Sequence, residues 1–151
     1  MRKKINRIFW LEDDRASIIQ ERNKVKQFCN KIIIKESIQE FVHELETCEP
    51  CVGSNDIIIL DMMINDNNLE FNCKINGHKE KITINNISKA GLTLHLEYLK
   101  KEYNSSPVIY YTFVKSFEEV KKYANANKNF FIYQKNEMDL FLECIKNLYD
   151  N

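Results

Sequence analysis

The chain has 151 residues, of which 44% are hydrophobic and 29% charged, and its 22 basic residues balance its 22 acidic ones. This composition is typical of one globular domain with a core of ordinary size. The zero formal net charge does not favour nucleic acid or an anionic membrane as a partner. No apolar stretch is long enough for a signal peptide or a membrane span, so we expect a cytoplasmic protein without membrane insertion.

Apolar runs and amphipathic stretches alternate through the first sixty residues. The stretch KINRIFWLEDD predicts a strand ending at Glu12, and RASIIQERNKVKQFC predicts a helix that extends to Cys29. The run NKIIIKES predicts a second strand. Ser37 and Glu40 form a capping box at the start of the second helix. The apolar face of that helix consists of Ile38, Phe41, Val42 and Leu45. The run DIIIL predicts a third strand.

The same alternation returns after residue 86. KAGLTLHLEYLKKEY carries Leu92, Leu96 and Leu99 at helical spacing, and PVIYYT and NFFIYQ predict two more strands. A short helix with a capping box from Ser116 to Glu119 lies between these strands, and EMDLFLECIKNLY predicts the last helix. The order predicts a single α/β domain, 1–151, whose five parallel strands are covered by helices on both faces.

The segment 65–86 interrupts the alternation. Asn76-Gly77 is a strong hairpin signal, and residues on both sides of it alternate between apolar and polar. A two-residue turn would pair Leu69 with Ile84 and Phe71 with Ile82 on one apolar face. We therefore predict a β-hairpin inserted after the third strand. Its apolar face either packs on the domain or offers a docking surface to a partner.

Polar residues stand where the predicted strands end. Glu12 and Asp13 follow the first strand, Asp61 follows the third, Thr112 ends the fourth, and Lys135 follows the fifth. The carboxyl ends of parallel strands lie along one edge, where ligands bind. We therefore expect these five side chains to meet at that edge.

Three carboxylates in one place would raise each other's pKa unless a cation joined them. Mg²⁺ suits such an all-oxygen site, together with phosphate oxygens of a substrate. Lys135 would add a positive charge and Thr112 a hydroxyl donor for a phosphoryl group. Asp61 would be the nucleophile that forms an acyl phosphate.

At these motifs the chain resembles the receiver domains of two-component response regulators, which have a flavodoxin-like (CheY-like) fold. IFWLEDD, IIILDMM, PVIYYT and FFIYQK match in order, and AGLTLHLEYLK is similar to the helix after the phosphoacceptor strand. The resemblance implies Mg²⁺ on Glu12, Asp13, Asp61 and the Met63 carbonyl, and phosphate contacts from Thr112 and Lys135.

The function implied is that of a stand-alone receiver domain in a phosphorelay, without an output domain. A histidine kinase or phosphotransfer protein would phosphorylate Asp61, and the phosphoprotein would signal through protein–protein contacts. Such a chain is an acceptor rather than a turnover enzyme. Two alternatives remain open: an adaptor that works without phosphorylation and docks through the hairpin, and a receiver-fold hydrolase of phosphate esters.

Some residues depart from the receiver pattern. Phe113 replaces a small residue and could crowd the phosphoryl pocket. Asn136 replaces a proline, and a cis bond before it would cost about 3 kcal/mol. Met63 and Val114 stand at positions that tune dephosphorylation, and neither side chain can orient a water molecule. We therefore expect a long-lived phospho-form.

Five cysteines without secretory context favour reduced thiols: Cys29, Cys48, Cys51, Cys73 and Cys144. Cys48, Cys51, Cys73 and His78 form a less favoured zinc-site alternative. About five residues of strand, ~17 Å, would separate the two halves of that site.

Overall fold

The main sheet of the domain has five parallel strands. The computed structural model describes residues 5–65, 68–113, 120–121 and 129–150. The strands are β1 (Ile5–Leu11), β2 (Cys29–Lys35), β3 (Asp56–Leu60), β6 (Val108–Thr112) and β7 (Phe130–Gln134). Their order across the sheet is β2-β1-β3-β6-β7, and every neighbouring pair is parallel. The predicted α/β fold with a doubly wound five-stranded sheet is confirmed.

Apolar side chains fill both sides of this sheet, which explains why its strands are continuous apolar runs. Phe9 and Ile58 belong to a core that includes the helix α2 (Ile38–Thr47). Trp10 and Ile59, the next residue along each strand, belong to a second core with the C-terminal helix α5 (Met138–Asp150). Every residue of β3 and of β6 is buried.

The first helical region is less regular than its spacing predicts. A 3₁₀ turn (Arg15–Ile18) precedes α1 (Ile19–Val25), and a second 3₁₀ turn (Lys26–Phe28) follows it. The prediction that the helix extends to Cys29 is wrong, because Cys29 pairs with Ile5 and begins β2.

Helix α2 begins as its capping box predicts. The Ser37 hydroxyl accepts a hydrogen bond from the Glu40 amide at 3.2 Å. All four predicted apolar positions of α2 are buried: Ile38, Phe41, Val42 and Leu45.

The third helical region contains a change of helix type. A 3₁₀ turn (Ile87–Lys89) leads into α3 (Ala90–Leu94), which continues as a π-helical segment (His95–Leu99) and ends as α4 (Lys100–Glu102). Leu92 and Leu99 are buried as predicted. Leu96 is only partly buried, and it packs against the same core.

The hairpin after β3 is present as predicted. Strands β4 (Glu70–Ile75) and β5 (His78–Thr83) are antiparallel, with Phe71 opposite Ile82. Asn76 and Gly77 both have positive φ, at 53° and 79°, as a type I′ turn requires. The Ile84 amide donates to the Leu69 carbonyl, which extends the same register.

The apolar face of the hairpin packs mainly on the domain. Phe71 is buried and meets Tyr98 edge to face at 6.3 Å between ring centroids, and Ile84 is buried too. Leu69 is the exception, since 53% of its surface is exposed. The hairpin's apolar face is therefore part of the domain core rather than an open docking surface.

Two sequence predictions fall outside the described residues: the capping box from Ser116 to Glu119 and the position of Val114. Val120 and Lys121 are helical. No helix among the described residues combines the length and apolarity that a membrane span requires.

Candidate functional site

The carboxyl ends of β1 and β3 bring three acidic side chains together. The Asp61 amide donates to the Leu11 carbonyl at 3.1 Å, which sets Asp61 beside the residues that follow β1. One carboxylate oxygen from each of Glu12, Asp13 and Asp61 lies within 4.8 Å of the others. Within the described part of the chain, no other group of three acidic, histidine or cysteine side chains meets this closely.

Lys135 lies among these carboxylates. Its amide donates to the Thr112 carbonyl at 3.0 Å, so the pairing of β6 with β7 fixes its position. The Lys135 ammonium forms an ion pair with Glu12 and a second one with Asp61 at 3.1 Å. It also donates to the Ser17 hydroxyl at 3.2 Å. Ser17 is a site neighbour that no sequence motif indicated.

The Asp61 carboxylate is held on both of its oxygens. Oδ1 accepts from the Met62 amide at 2.7 Å, and Oδ2 accepts from Lys135. The Thr112 hydroxyl accepts from the same Met62 amide at 3.4 Å. Thr112 therefore lies beside the backbone that follows Asp61, at the predicted edge.

Asp13 is the most exposed of the three acids. Its Oδ2 accepts from the Asn65 amide at 2.9 Å. This contact ties the end of β1 to the loop that leads into the hairpin. Met63, whose carbonyl the resemblance to receiver domains implies as a metal ligand, lies in the same loop with 45% of its surface exposed; that role stays a prediction.

The electrostatics of the site reflect an excess of acid. Burial, followed by the neighbouring Asp61, raises the pKa of Glu12 from 4.5 to about 8. Burial acts to lower the pKa of Lys135, but its hydrogen bond to Glu12 and the charge of Asp61 raise it on balance. The Lys135 ammonium thus pairs with two buried carboxylates, and the third carboxylate, that of Asp13, lies close to both of them.

These residues fit a small divalent cation. The cluster offers carboxylate oxygens only, which are the donors that Mg²⁺ prefers. The pKa of Glu12 is raised by burial first and by Asp61 second, although Lys135 acts to lower it, so a bound cation would favour the ionised form of this carboxylate. Glu12, Asp13 and Asp61 are therefore the residues that would hold such an ion.

Phe113 lies over the site. Its ring centroid is 4.8 Å from the Lys135 ammonium, within cation–π distance, although 67% of the residue's surface is exposed. The loop after β7 is anchored nearby, since the Tyr111 hydroxyl donates to the Lys135 carbonyl at 3.2 Å. Among the described residues the one cis peptide bond precedes Pro50, so the bond before Asn136 is trans.

Gly91 in α3 touches the backbone of the acidic site. Its amide donates to the Met62 carbonyl at 2.9 Å. A Cβ at this position would lie 2.1 Å from the Asp61 carbonyl oxygen. Only a glycine fits here. The resemblance of AGLTLHLEYLK to the helix after the phosphoacceptor strand pointed to this helix, but the contact itself could not be predicted, because it joins residues thirty positions apart.

No protein-family model matches the chain, and no curated protein matches it either. Solved structures do match. The signal receiver domain of a two-component response regulator from Bacteroides fragilis has a TM-score of 0.63 at 17% identity, covering 98% of this chain and 99% of that one. A response regulator receiver domain from Rhodospirillum rubrum has a TM-score of 0.57 at 15% identity, covering 95% and 90%.

A third match is the BeF₃-activated receiver domain of DrrB, a response regulator from Thermotoga maritima. Its TM-score is 0.58 at 14% identity, and the match covers 98% of this chain and 99% of that one. The chain therefore has the fold of response-regulator receiver domains. The resemblance that the sequence motifs indicated is confirmed at the level of the fold.

Proposed function

We propose that this chain is a receiver domain that accepts a phosphoryl group on Asp61. The observation that carries the proposal is the meeting of the Asp61 carboxylate with the Lys135 ammonium and two further carboxylates at one sheet edge. Phosphoryl transfer requires mainly positioning and neutralisation of charge, and these residues offer both.

In the transfer, an Asp61 oxygen attacks the phosphorus of a phosphohistidine. The new O–P bond forms as the P–N bond breaks, and the imidazole leaves with the electron pair. Lys135, which contacts Asp61 Oδ2 at 3.1 Å, then pairs with an oxygen of the transferred group. The Thr112 hydroxyl, which shares the Met62 amide with Asp61, donates to another.

Glu12, Asp13 and Asp61, with the Met63 carbonyl, would hold Mg²⁺. When bound, this ion supplies positive charge against the phosphoryl oxygens. The chain's own contribution is to hold its carboxylates in place: Met62 and Lys135 orient Asp61, and the Asn65 amide orients Asp13.

The donor would be a histidine kinase or a phosphotransfer protein, and the output would be altered contacts with a protein target. The side chain of Met63, half exposed beside Asp61, offers no group to orient a hydrolytic water. The phospho-form is therefore long-lived.

A second candidate, the adaptor that works without phosphorylation, is favoured by one observation. The Phe113 ring lies against the Lys135 ammonium, where a phosphoryl oxygen would have to bind. If the ring does not move aside, the acidic edge is a structural remnant and the domain acts through its surface alone.

Trp10 offers an experiment that separates these candidates. It is the single tryptophan, is fully buried, and meets Tyr111, which in turn holds the Lys135 carbonyl. We expect its fluorescence to change when Mg²⁺ is added, and again when beryllofluoride, a phosphoryl mimic, follows.

Asp61→Asn should remove the beryllofluoride response, whereas the matched change Asp14→Asn should retain it, because the Asp14 side chain lies outside the cluster. A wild type that responds to neither ligand would favour the adaptor. Turnover of a phosphate ester by the wild type would favour the hydrolase.

A further inference from the structure

The two outer edges of the hairpin differ. The edge of β4 is closed by side chains of α2. The Gln39 amide group donates to the Asn72 carbonyl at 3.0 Å and accepts from the Asn72 amide at 2.8 Å. Glu46 accepts from the Lys74 amide at 2.8 Å. The Asn72 amide and carbonyl and the Lys74 amide are thus not available to another strand.

The edge of β5 is open. Asn72 directs its backbone groups away from β5, so its cross-strand partner Lys81 directs its own groups away from β4. The same alternation applies to Lys79 and Thr83. Across the described ranges, no hydrogen bond reaches the outward amide or carbonyl of these three residues. Such a row is a template for one more strand.

A groove runs beside this open edge. Its volume is about 710 Å³, and it separates β5 from the helical region that starts at residue 87. Ile82, Leu92 and Leu96 give it an apolar lining. Its charged border consists of Lys81, Lys89, Lys101, Glu80 and Glu97. Lys81 also forms an exposed ion pair with Glu70 at 3.5 Å, and Lys101 forms one with Glu97, and such exposed pairs exchange readily for a new partner. A strand added to β5 would therefore cover apolar surface as well as form backbone hydrogen bonds.

We propose that the β5 edge binds an extended, acidic segment of a partner protein as an added strand. The side chains of Lys79 and Lys81 lie on one face of the hairpin, together with those of their cross-strand partners Lys74 and Asn72. A segment with acidic residues at every second position would place them opposite these lysines. Its intervening apolar residues would face the groove beside Ile82.

The charges of β5 argue against a second copy of this chain as the occupant. Two antiparallel β5 strands centred on Glu80 would place Lys79 of one copy opposite Lys81 of the other, and Glu80 opposite Glu80. If the register shifts to the next hydrogen-bonded pair, Lys81 of one copy lies opposite Lys81 of the other. Like charges directly opposite each other destabilise a strand pair, so these lysines disfavour self-pairing in both registers and favour an acidic partner.

The test uses the full chain and a labelled peptide of alternating glutamate and valine, about ten residues long. Fluorescence anisotropy should show binding that is roughly tenfold tighter than for the matched lysine–valine peptide. Reversing the charges with Lys79→Glu and Lys81→Glu together should invert this preference. Lys31→Glu, an exposed lysine on β2, should leave it unchanged.

A proline tests the backbone pairing itself. Lys81→Pro removes an amide that points away from β4, a position where an edge strand tolerates proline. It should weaken binding at least about tenfold more than Lys81→Ala, which removes the charge alone. Circular dichroism checks that both variants fold.

Hydrogen exchange on the wild type gives an independent readout. Without peptide, the Lys79, Lys81 and Thr83 amides should exchange faster than those of Asn72 and Lys74, which have side-chain acceptors. The glutamate–valine peptide should slow exchange at those three β5 amides. Equal binding of both peptides, protection elsewhere, or concentration-dependent self-association through β5 would overturn the proposal.

Discussion

Phe113 is the residue that we expect to restrict access to the proposed acceptor. Its ring lies 4.8 Å from the Lys135 ammonium, and an exposed cation–π contact is worth about 0.5–1 kcal/mol. A phosphoryl group must displace this contact in order to reach Lys135. We expect Phe113→Ala to raise the rate of phosphorylation by acetyl phosphate roughly two- to fivefold, measured by intact-protein mass over time.

Leu140→Ala is the matched control, because Leu140 is an exposed apolar residue on α5, outside the acidic cluster. It should leave the rate unchanged. A slower reaction in Phe113→Ala would mean that the ring helps to position Lys135 rather than blocking it.

Glu12 should make the stability of the metal-free protein depend on pH. Its pKa is raised from 4.5 to about 8 by burial first and Asp61 second, so the folded chain binds this proton more tightly than the unfolded chain. The resulting stabilisation is full below about pH 4.5 and is lost as the pH rises through about 8.

Thermal unfolding between about pH 5 and pH 9 tests this. The melting temperature of the wild type should fall across this interval, and Glu12→Gln should reduce the fall. Glu143→Gln, an exposed position on α5, serves as control. Mg²⁺ should reduce the fall in the wild type by favouring the ionised carboxylate. Identical pH profiles for wild type and Glu12→Gln would contradict the account.

Glu12 and Asp61 could be found in the sequence because each directly follows a short apolar run, rich in Ile and aromatic residues, that favours a buried strand. Once IFWL and DIIIL were assigned as parallel strands, Glu12 and Asp61 had to lie at one edge. The contacts of Ser17 and the direction of the Phe113 ring could not be found in this way. They depend on irregular backbone beyond the strand ends, where no periodicity constrains a side chain.

At the scale of elements, the junction of β3 with α3 is the tightest point near the site. Gly91→Ala would place a methyl group 2.1 Å from the Asp61 carbonyl oxygen, and the backbone of both elements would have to separate. We expect a loss of at least about 1–3 kcal/mol in the free energy of unfolding, measured by urea denaturation, and weaker Mg²⁺ binding.

Gly53→Ala is the control for this substitution. The nearest atom to its added methyl group would be the Cys51 carbonyl oxygen at 4.0 Å, so the change should be nearly neutral. Equal effects of the two glycine variants would show that the close contact at Gly91 does not constrain the junction.

Elements with a strong local signal were predictable, and those shaped by tertiary packing were not. The turn at Asn76-Gly77 predicts the hairpin register without reference to any tertiary contact, and Phe71 does lie opposite Ile82. The π-helical segment from His95 to Leu99 has no such signal. It buries His95 against Phe130 and Tyr98 against Phe71, which are contacts between elements distant in sequence.

At the scale of the whole molecule, the fold explains where buried charge is tolerated: Arg7 pairs with Asp56 where β3 begins, and the acidic cluster lies where β1 and β3 end. Helices cover both faces of the sheet, so the strand interiors contain apolar residues. Polar side chains can gather where the strands end, and there Lys135 and the surrounding amides compensate part of the acid. The open edge of β5 lies on the hairpin, a separate two-stranded sheet.

The most direct measurement of the central claim is the position of the phosphoryl group. The full chain would be incubated with acetyl phosphate and Mg²⁺, trapped with borohydride, which reduces an aspartyl phosphate, and mapped by peptide mass spectrometry. The account predicts modification at Asp61 in the wild type and in Asp14→Asn, and none in Asp61→Asn. An unmodified wild type, or modification at another residue that persists in Asp61→Asn, would contradict it.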